Sequence, residues 1–145
     1  MKIRIIAVGK AKERFTKEWI GEFLKRMQKY ASLEIIEQKE QASIEAEAKE
    51  LLRMIKPDEY AIALDAKGTM PSSEDFAALL KQKTIEKNIV FVIGSDKGLS
   101  KDVIGKAHYR LSLSRMTFTH QIARLLLIEQ IYRAFTIMKG ERYHK

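Results

Sequence analysis

Asn88-Ile89-Val90-Phe91-Val92-Ile93, running on into Gly94-Ser95-Asp96-Lys97-Gly98, is the stretch that decides the fold. The unbroken apolar run Ile89–Ile93 leaves no side of the chain for water. A strand of that kind is covered on both faces, as at the centre of a parallel sheet. The two glycines that follow end the pattern and mark a loop. Outward from this stretch, Lys2–Val8, Leu33–Glu37, Tyr60–Leu64 and Tyr109–Ser114 read as further strands. The segments between them repeat their apolar residues at helical spacing: 15–30, 43–55, 72–87, 100–106 and 119–139. Ser72, with Asp75 three residues on, forms a capping-box pattern. Ser100 caps the next helix, Pro57 stops the helix over 43–55, and Gly140 closes the last one. Strands alternating with helices predict an α/β fold, a mainly parallel sheet flanked by helices, in one domain spanning residues 1–145.

In such sheets ligands gather beyond the carboxyl ends of the strands. Those ends carry Leu64-Asp65, Gly94–Gly98 and Leu113-Ser114-Arg115-Met116-Thr117-Phe118. Gly94-x-x-x-Gly98 matches neither the dinucleotide fingerprint nor the P-loop. Its glycines either let backbone approach a ligand or merely shape a tight turn. Ala66-Lys67-Gly68 reads as a turn after the third strand.

Charge is distributed unevenly. Residues 1–75 carry 14 Lys/Arg against 14 Asp/Glu, whereas residues 76–145 carry 13 against 5, so the whole excess of +8 lies in the second half. A basic half fits a polyanionic partner, most often nucleic acid. The absence of cysteine excludes disulfides, thiolate nucleophiles and Cys-based zinc sites. His108, His120 and His144 are too scattered to suggest a metal, so none is expected. No run of about eighteen apolar residues is present to span a membrane. Met1–Val8 is too short for a secretory apolar core and is interrupted by Arg4, so a cytoplasmic location is expected.

The last helix is apolar nearly all round, as expected if it is buried on most sides or packs one side on a second subunit. Glu129 and Arg133 have the spacing of an intrahelical ion pair. His120 and Arg124 share that spacing and repel unless an anion lies near. The tail Arg142-Tyr143-His144-Lys145 reads either as a frayed end or as an RNA contact, with Tyr143 stacking on a base and Arg142 and Lys145 on phosphates.

Several of these segments together resemble one family. They are Ile5-Ile6-Ala7-Val8-Gly9-Lys10, Phe91-Val92-Ile93-Gly94-x-x-x-Gly98-Leu99-Ser100, Leu111-Ser112-Leu113-Ser114-x-Met116-Thr117-Phe118-x-His120, Leu127–Ala134 and Tyr143-His144-Lys145. The family is that of ribosomal RNA large subunit methyltransferase H, within the SPOUT superfamily, and the resemblance covers nearly the whole chain. It implies a homodimer with a C-terminal trefoil knot, a rare exception to unknotted topology. It also implies transfer of a methyl group from S-adenosylmethionine to N3 of a pseudouridine in large-subunit rRNA, within the assembled ribosome. The donor is then expected against Leu64, Gly94, Leu113, Ser114, Arg115, Met116, Thr117 and Phe118. Arg124, Arg142 and Lys145 are the expected RNA contacts. His144, Tyr143, Arg133 and His120 are the candidates for handling the acceptor's proton and charge. The chain departs from the family pattern at Ser95, where glycine is usual, at Thr119, where proline is usual, and in a shorter segment around residues 38–48. Two other readings stay open: a SPOUT enzyme acting on another RNA, and an RNA- or ribosome-binding module without catalysis.

Overall fold

A computed structural model describes residues 1–145. Its strands are β1 (Lys2–Val8), β2 (Ser32–Gln38), β3 (Glu59–Thr69), β4 (Asn88–Ile93) and β5 (Tyr109–Leu111). They form one sheet in the order β2-β1-β4-β3-β5, and every pairing is parallel. The helices are α1 (Arg14–Met27), α2 (Ile44–Met54), α3 (Ser73–Glu86), α4 (Lys101–Lys106) and α5 (His120–Met138).

Side chains alternate between the two faces of a strand, and here both faces are apolar. Ile89, Phe91 and Ile93 of β4 and Ile3, Ile5 and Ala7 of β1 pack with α1, α3 and α5. Val90, Val92, Ile6 and Val8 pack on the other face with α2 and Val103 of α4. The unbroken apolar run of β4 therefore reflects its place between β1 and β3, covered on both sides. Arg4 is the exception on β1. It is 6% exposed, and its Nε and Nη2 donate to Glu59 at 2.8 and 2.6 Å while Nη2 also donates to the Met54 carbonyl.

Serine and threonine set the helix starts. The side chains of Ser43, Ser72, Ser100 and Thr119 accept from the N–H three residues on. Gly140 takes φ +67° just past α5, the left-handed cap expected of it. α1 ends at Met27, short of the expected Tyr30, in a turn in which Tyr30 and Ala31 both donate to the Met27 carbonyl.

Two expectations fail around β3 and β5. Ala66-Lys67-Gly68 is not a simple turn: β3 continues to Thr69, and Leu64 and Thr69 both register with Leu111. Long-range contacts hold this excursion. Arg110 makes a two-pronged ion pair with Asp65, and Arg115 donates to the carbonyls of Ala66 and Gly68. Gly68 lies against the Arg110 backbone so closely that a Cβ would collide with its carbonyl oxygen. β5 correspondingly ends at Leu111, because the Ser112 hydroxyl bonds to the carbonyls of Ala66 and Ser114 and turns the chain out of the sheet. No helix is long and apolar enough to cross a membrane.

Candidate functional site

The carboxyl ends of β3, β4 and β5 open into one cavity of about 530 Å³. This volume lies in the range of small-molecule sites. β3 contributes Leu64 and Asp65, and the loop after β4 contributes Gly94, Ser95 and Gly98. The loop after β5 supplies Leu113, Ser114, Met116, Thr117 and Phe118, and the start of α5 adds His120 and Ala123. The lining is mainly apolar with hydroxyls and backbone interspersed, which suits an amphipathic ligand held partly by main chain.

The glycines here are needed for packing within the loop. A Cβ on Gly94 would lie 2.7 Å from the carbonyl carbon and oxygen of Gly98, with Leu99 at 3.1 Å. Gly98 has φ +81° and donates to the Ser95 carbonyl. The loop is anchored from beneath by Glu47 of α2, a buried carboxylate that accepts from Ser95 Oγ at 2.8 Å and has Lys97 Nζ at 3.8 Å. Ser95, the departure from the glycine of the family pattern, thus has a bonding role of its own.

Of the residues expected around the donor, Leu64, Gly94, Leu113, Ser114, Met116, Thr117 and Phe118 line this cavity. Arg115 does not. Its guanidinium turns away to staple Ala66 and Gly68, so it shapes the wall from outside.

The four residues expected to handle the acceptor divide into two groups. His120 lies in the cavity wall, and its buried Nδ1 has no partner. Arg133, Tyr143 and His144 meet about thirteen residues farther along α5, on the order of 20 Å by helical rise. There Arg133 donates from Nε and Nη2 to Glu129 at 3.1 and 3.0 Å, the intrahelical pair its spacing suggests. Its third nitrogen, Nη1, lies 3.0 Å from His144 Nδ1. The other ring nitrogen of His144 faces Glu74 Oε1 at 2.6 Å. Tyr143 donates to Glu129 at 3.3 Å, and Arg133 stacks over its ring at 4.9 Å. Burial, and after it the charge of Glu129, push the Tyr143 phenol above the usual tyrosine range. The phenol is therefore a donor near neutral pH and not a base. The His144 contact holds the Glu74 carboxyl below the usual carboxylate range.

The tail is therefore not frayed at Tyr143 and His144. Arg142 and Lys145 are exposed and take part in no ion pair. Arg124 must be corrected as an RNA contact. It is 1% exposed, donating to Glu37 at 2.6 Å and to the Gly9 carbonyl at 3.0 Å. Glu37 is the anion that the His120/Arg124 spacing called for. Sequence reasoning missed Glu74, which read only as part of a capped first turn. It also missed Gln130, whose amide accepts from Ser73 Oγ at 2.8 Å and donates to Glu129 at 3.2 Å. No three His, Asp or Glu side chains converge in a way that could hold a metal ion.

A family model described as a predicted SPOUT methyltransferase matches residues 1–144. Proteins named ribosomal RNA large subunit methyltransferase H match over their full length and that of this chain. That of Carboxydothermus hydrogenoformans is 43% identical, that of Clostridium acetobutylicum 44% and that of Clostridium botulinum 45%. The chain belongs to this family of SPOUT methyltransferases. A solved structure of a probable methylase family protein from Haemophilus influenzae aligns over 99% of this SPOUT methyltransferase and 70% of its own chain. Its TM-score is 0.57 at 15% identity, a likeness of fold alone. In this SPOUT methyltransferase the cavity thus sits where an α/β sheet of its kind presents a ligand, beyond the carboxyl ends of its strands.

Proposed function

We propose that this chain methylates N3 of a pseudouridine in large-subunit rRNA, with S-adenosylmethionine held in the cavity of about 530 Å³. The observation that carries the reading is the convergence on that one cavity of Leu64 and Asp65 of β3 with the loops after β4 and β5, the two loops that bear the family resemblance. Backbone of the Gly94–Gly98 loop and the hydroxyls of Ser114 and Thr117 would hold the polar parts of the donor. Leu64, Leu113 and Phe118 would cover its apolar parts. When bound, the donor supplies an electrophilic methyl group on a sulfonium. The bond from N3 to the methyl carbon forms as the carbon–sulfur bond breaks and its electron pair passes to sulfur. The N3 proton must also leave, and the chain's own residues manage that transfer by position.

His144 is proposed to receive the proton at Nδ1, the nitrogen that accepts from Arg133 in this structure, once the Arg133 guanidinium turns to the acceptor base. Its imidazole is held between Glu74 and Arg133, and a carboxylate on one ring nitrogen fixes the ring and stabilises the charge it gains. Arg133 offsets negative charge on the base, and Arg142 and Lys145 meet phosphate. His120 belongs to the donor side, where its free Nδ1 lies in the cavity wall.

The same reading takes the protein as a cytoplasmic homodimer acting on the assembled ribosome, its 145 residues one domain with a C-terminal trefoil knot. Ile122 and Leu126 support the dimer, being exposed at 38% and 36% on a helix whose other sides are buried. The placement of β5 beside β3 and the return of α5 to α1 and α3 support the knot.

The test is incubation of the purified protein with labelled S-adenosylmethionine and ribosomes from a strain lacking the enzyme. Label is expected in large-subunit rRNA, mapping to N3 of one pseudouridine. No incorporation would overturn the reading, and label at another nucleotide or in another RNA would move the target. Gly94→Ala is expected to weaken donor binding at least tenfold by calorimetry, because the new methyl group pushes the Gly98 backbone into the cavity. Unchanged binding would place the donor elsewhere.

A further inference from the structure

A second cavity, of about 210 Å³, opens beside the first and shares with it the side chains of Leu111, Leu113 and Phe118. Nothing in the donor reading uses it. Its floor is apolar, with Phe76 and Leu111, and its polar atoms come from Ser72, Ser73, Ser112 and Gln130. A water takes up about 30 Å³ in the liquid, so the space admits one small heterocycle and not a molecule of the donor's size.

The polar rim is held rigidly. Ser73 donates to Gln130, Gln130 donates to Glu129, Glu129 accepts from Arg133, Arg133 contacts His144, and His144 faces Glu74, the neighbour of Ser73. This ring of hydrogen bonds ties the first turn of α3, the middle of α5 and the tail together along the edge of the cavity. It also explains why a tail with two exposed cations, Arg142 and Lys145, is fixed in place where it is. An enzyme that alters an atom on the pairing edge of a base takes that base out of its stack into a pocket, reading it by hydrogen bonds and stacking.

We infer that the second cavity receives the acceptor base, a uracil-type ring extruded from its RNA, with N3 lying between the wall shared with the donor cavity and the Gln130 rim that leads to His144. The second N–H of Gln130 Nε2 bonds a carbonyl flanking N3, Ser73 holds the Gln130 amide in place, and Phe118, common to both linings, offers the ring a face to stack on. A uracil-type edge places its N–H between two carbonyl acceptors. The free N–H of the Gln130 amide matches such a carbonyl, whereas it would oppose the amino group of a cytosine edge. The inference rests on the larger cavity being the donor site.

Gln130→Leu and Ser73→Leu, each in the full-length protein, test it. Gln130→Leu removes the hydrogen bond to the base and Ser73→Leu the bond that holds the Gln130 amide, both fill space, and neither residue lines the donor cavity. S-adenosylmethionine affinity by calorimetry is expected to stay within about twofold of the parent. KM for undermethylated ribosomes is expected to rise at least tenfold and kcat/KM to fall about a hundredfold. Because the donor binds as before, a collapsed fold cannot be the cause. Methyl transfer at the parental rate in both variants would overturn the inference, as would loss of donor affinity in step with activity, which would assign the cavity to the donor. Failure of the parent protein itself to bind S-adenosylmethionine would instead strike at the donor reading.

Discussion

His144→Gln is expected to lower kcat for rRNA methylation by roughly a hundred- to ten-thousand-fold, the contribution of a positioned acid–base group. Glutamine keeps the size of the side chain and can still bond Arg133 or Glu74, but it cannot accept and carry a proton. S-adenosylmethionine affinity should not change, since His144 lies outside the donor cavity. Single-turnover rates with undermethylated ribosomes check this. A variant that keeps the parental rate would remove His144 from proton handling. Glu74→Gln is the companion. Glu74 bonds His144 and not the base, so its removal should cost less in kcat.

Arg4→Leu is expected to destabilise the fold by about 3–5 kcal/mol, the usual cost of stranding one half of a buried ion pair. That is a large share of the roughly 5–15 kcal/mol that holds a domain together. The side chains of Arg4 and Glu59 are 8% and 3% exposed, so solvent cannot replace the lost guanidinium. The pH dependence gives a second check. Burial works against the Glu59 charge, but the Arg4 hydrogen bond and then the Lys56 N–H outweigh it and hold the carboxyl below the usual range. A depressed carboxyl stabilises above its unfolded pKa, about 4.3. That stabilisation is lost as pH falls through the folded value. Without Arg4, burial dominates and the folded pKa moves up. Glu59 then makes its best contribution at acid pH and loses it as pH rises. Denaturant melts should therefore lose Glu59's contribution below a pH of about 4.3 in the parent and above it in the variant. Parallel slopes would mean that solvent reaches the pair.

The reading of β4 needed little beyond local sequence, because a strand covered on both faces must be apolar throughout and Ile89–Ile93 is. The capped helix starts were legible for the same kind of reason: a hydroxyl side chain bonds an N–H three residues away. Strand ends in a parallel sheet converge on one edge, so Leu64, Gly94 and Leu113–Phe118 could be grouped before their geometry was known. The strand order β2-β1-β4-β3-β5 and the extension of β3 to Thr69 were not legible. Both depend on partners far along the chain, such as Arg110 for Asp65 and Arg115 for Ala66.

Charged residues divide along the same line. A sequence shows that Arg115 and Arg124 are basic, but not whether either is free. Arg124 lies under Glu37, 87 residues away, and Arg115 under two carbonyls of β3. Glu74 and Gln130 carry no local signal, because their roles arise only when α3, α5 and the tail meet. Residue type and spacing therefore determined the α/β class, the helix caps and the strand-end loops, all set by neighbours a few residues apart. Tertiary structure alone decided which cations are neutralised, that His120 and His144 stand apart, and that a second cavity adjoins the first, because each depends on contacts that form only when distant segments pack.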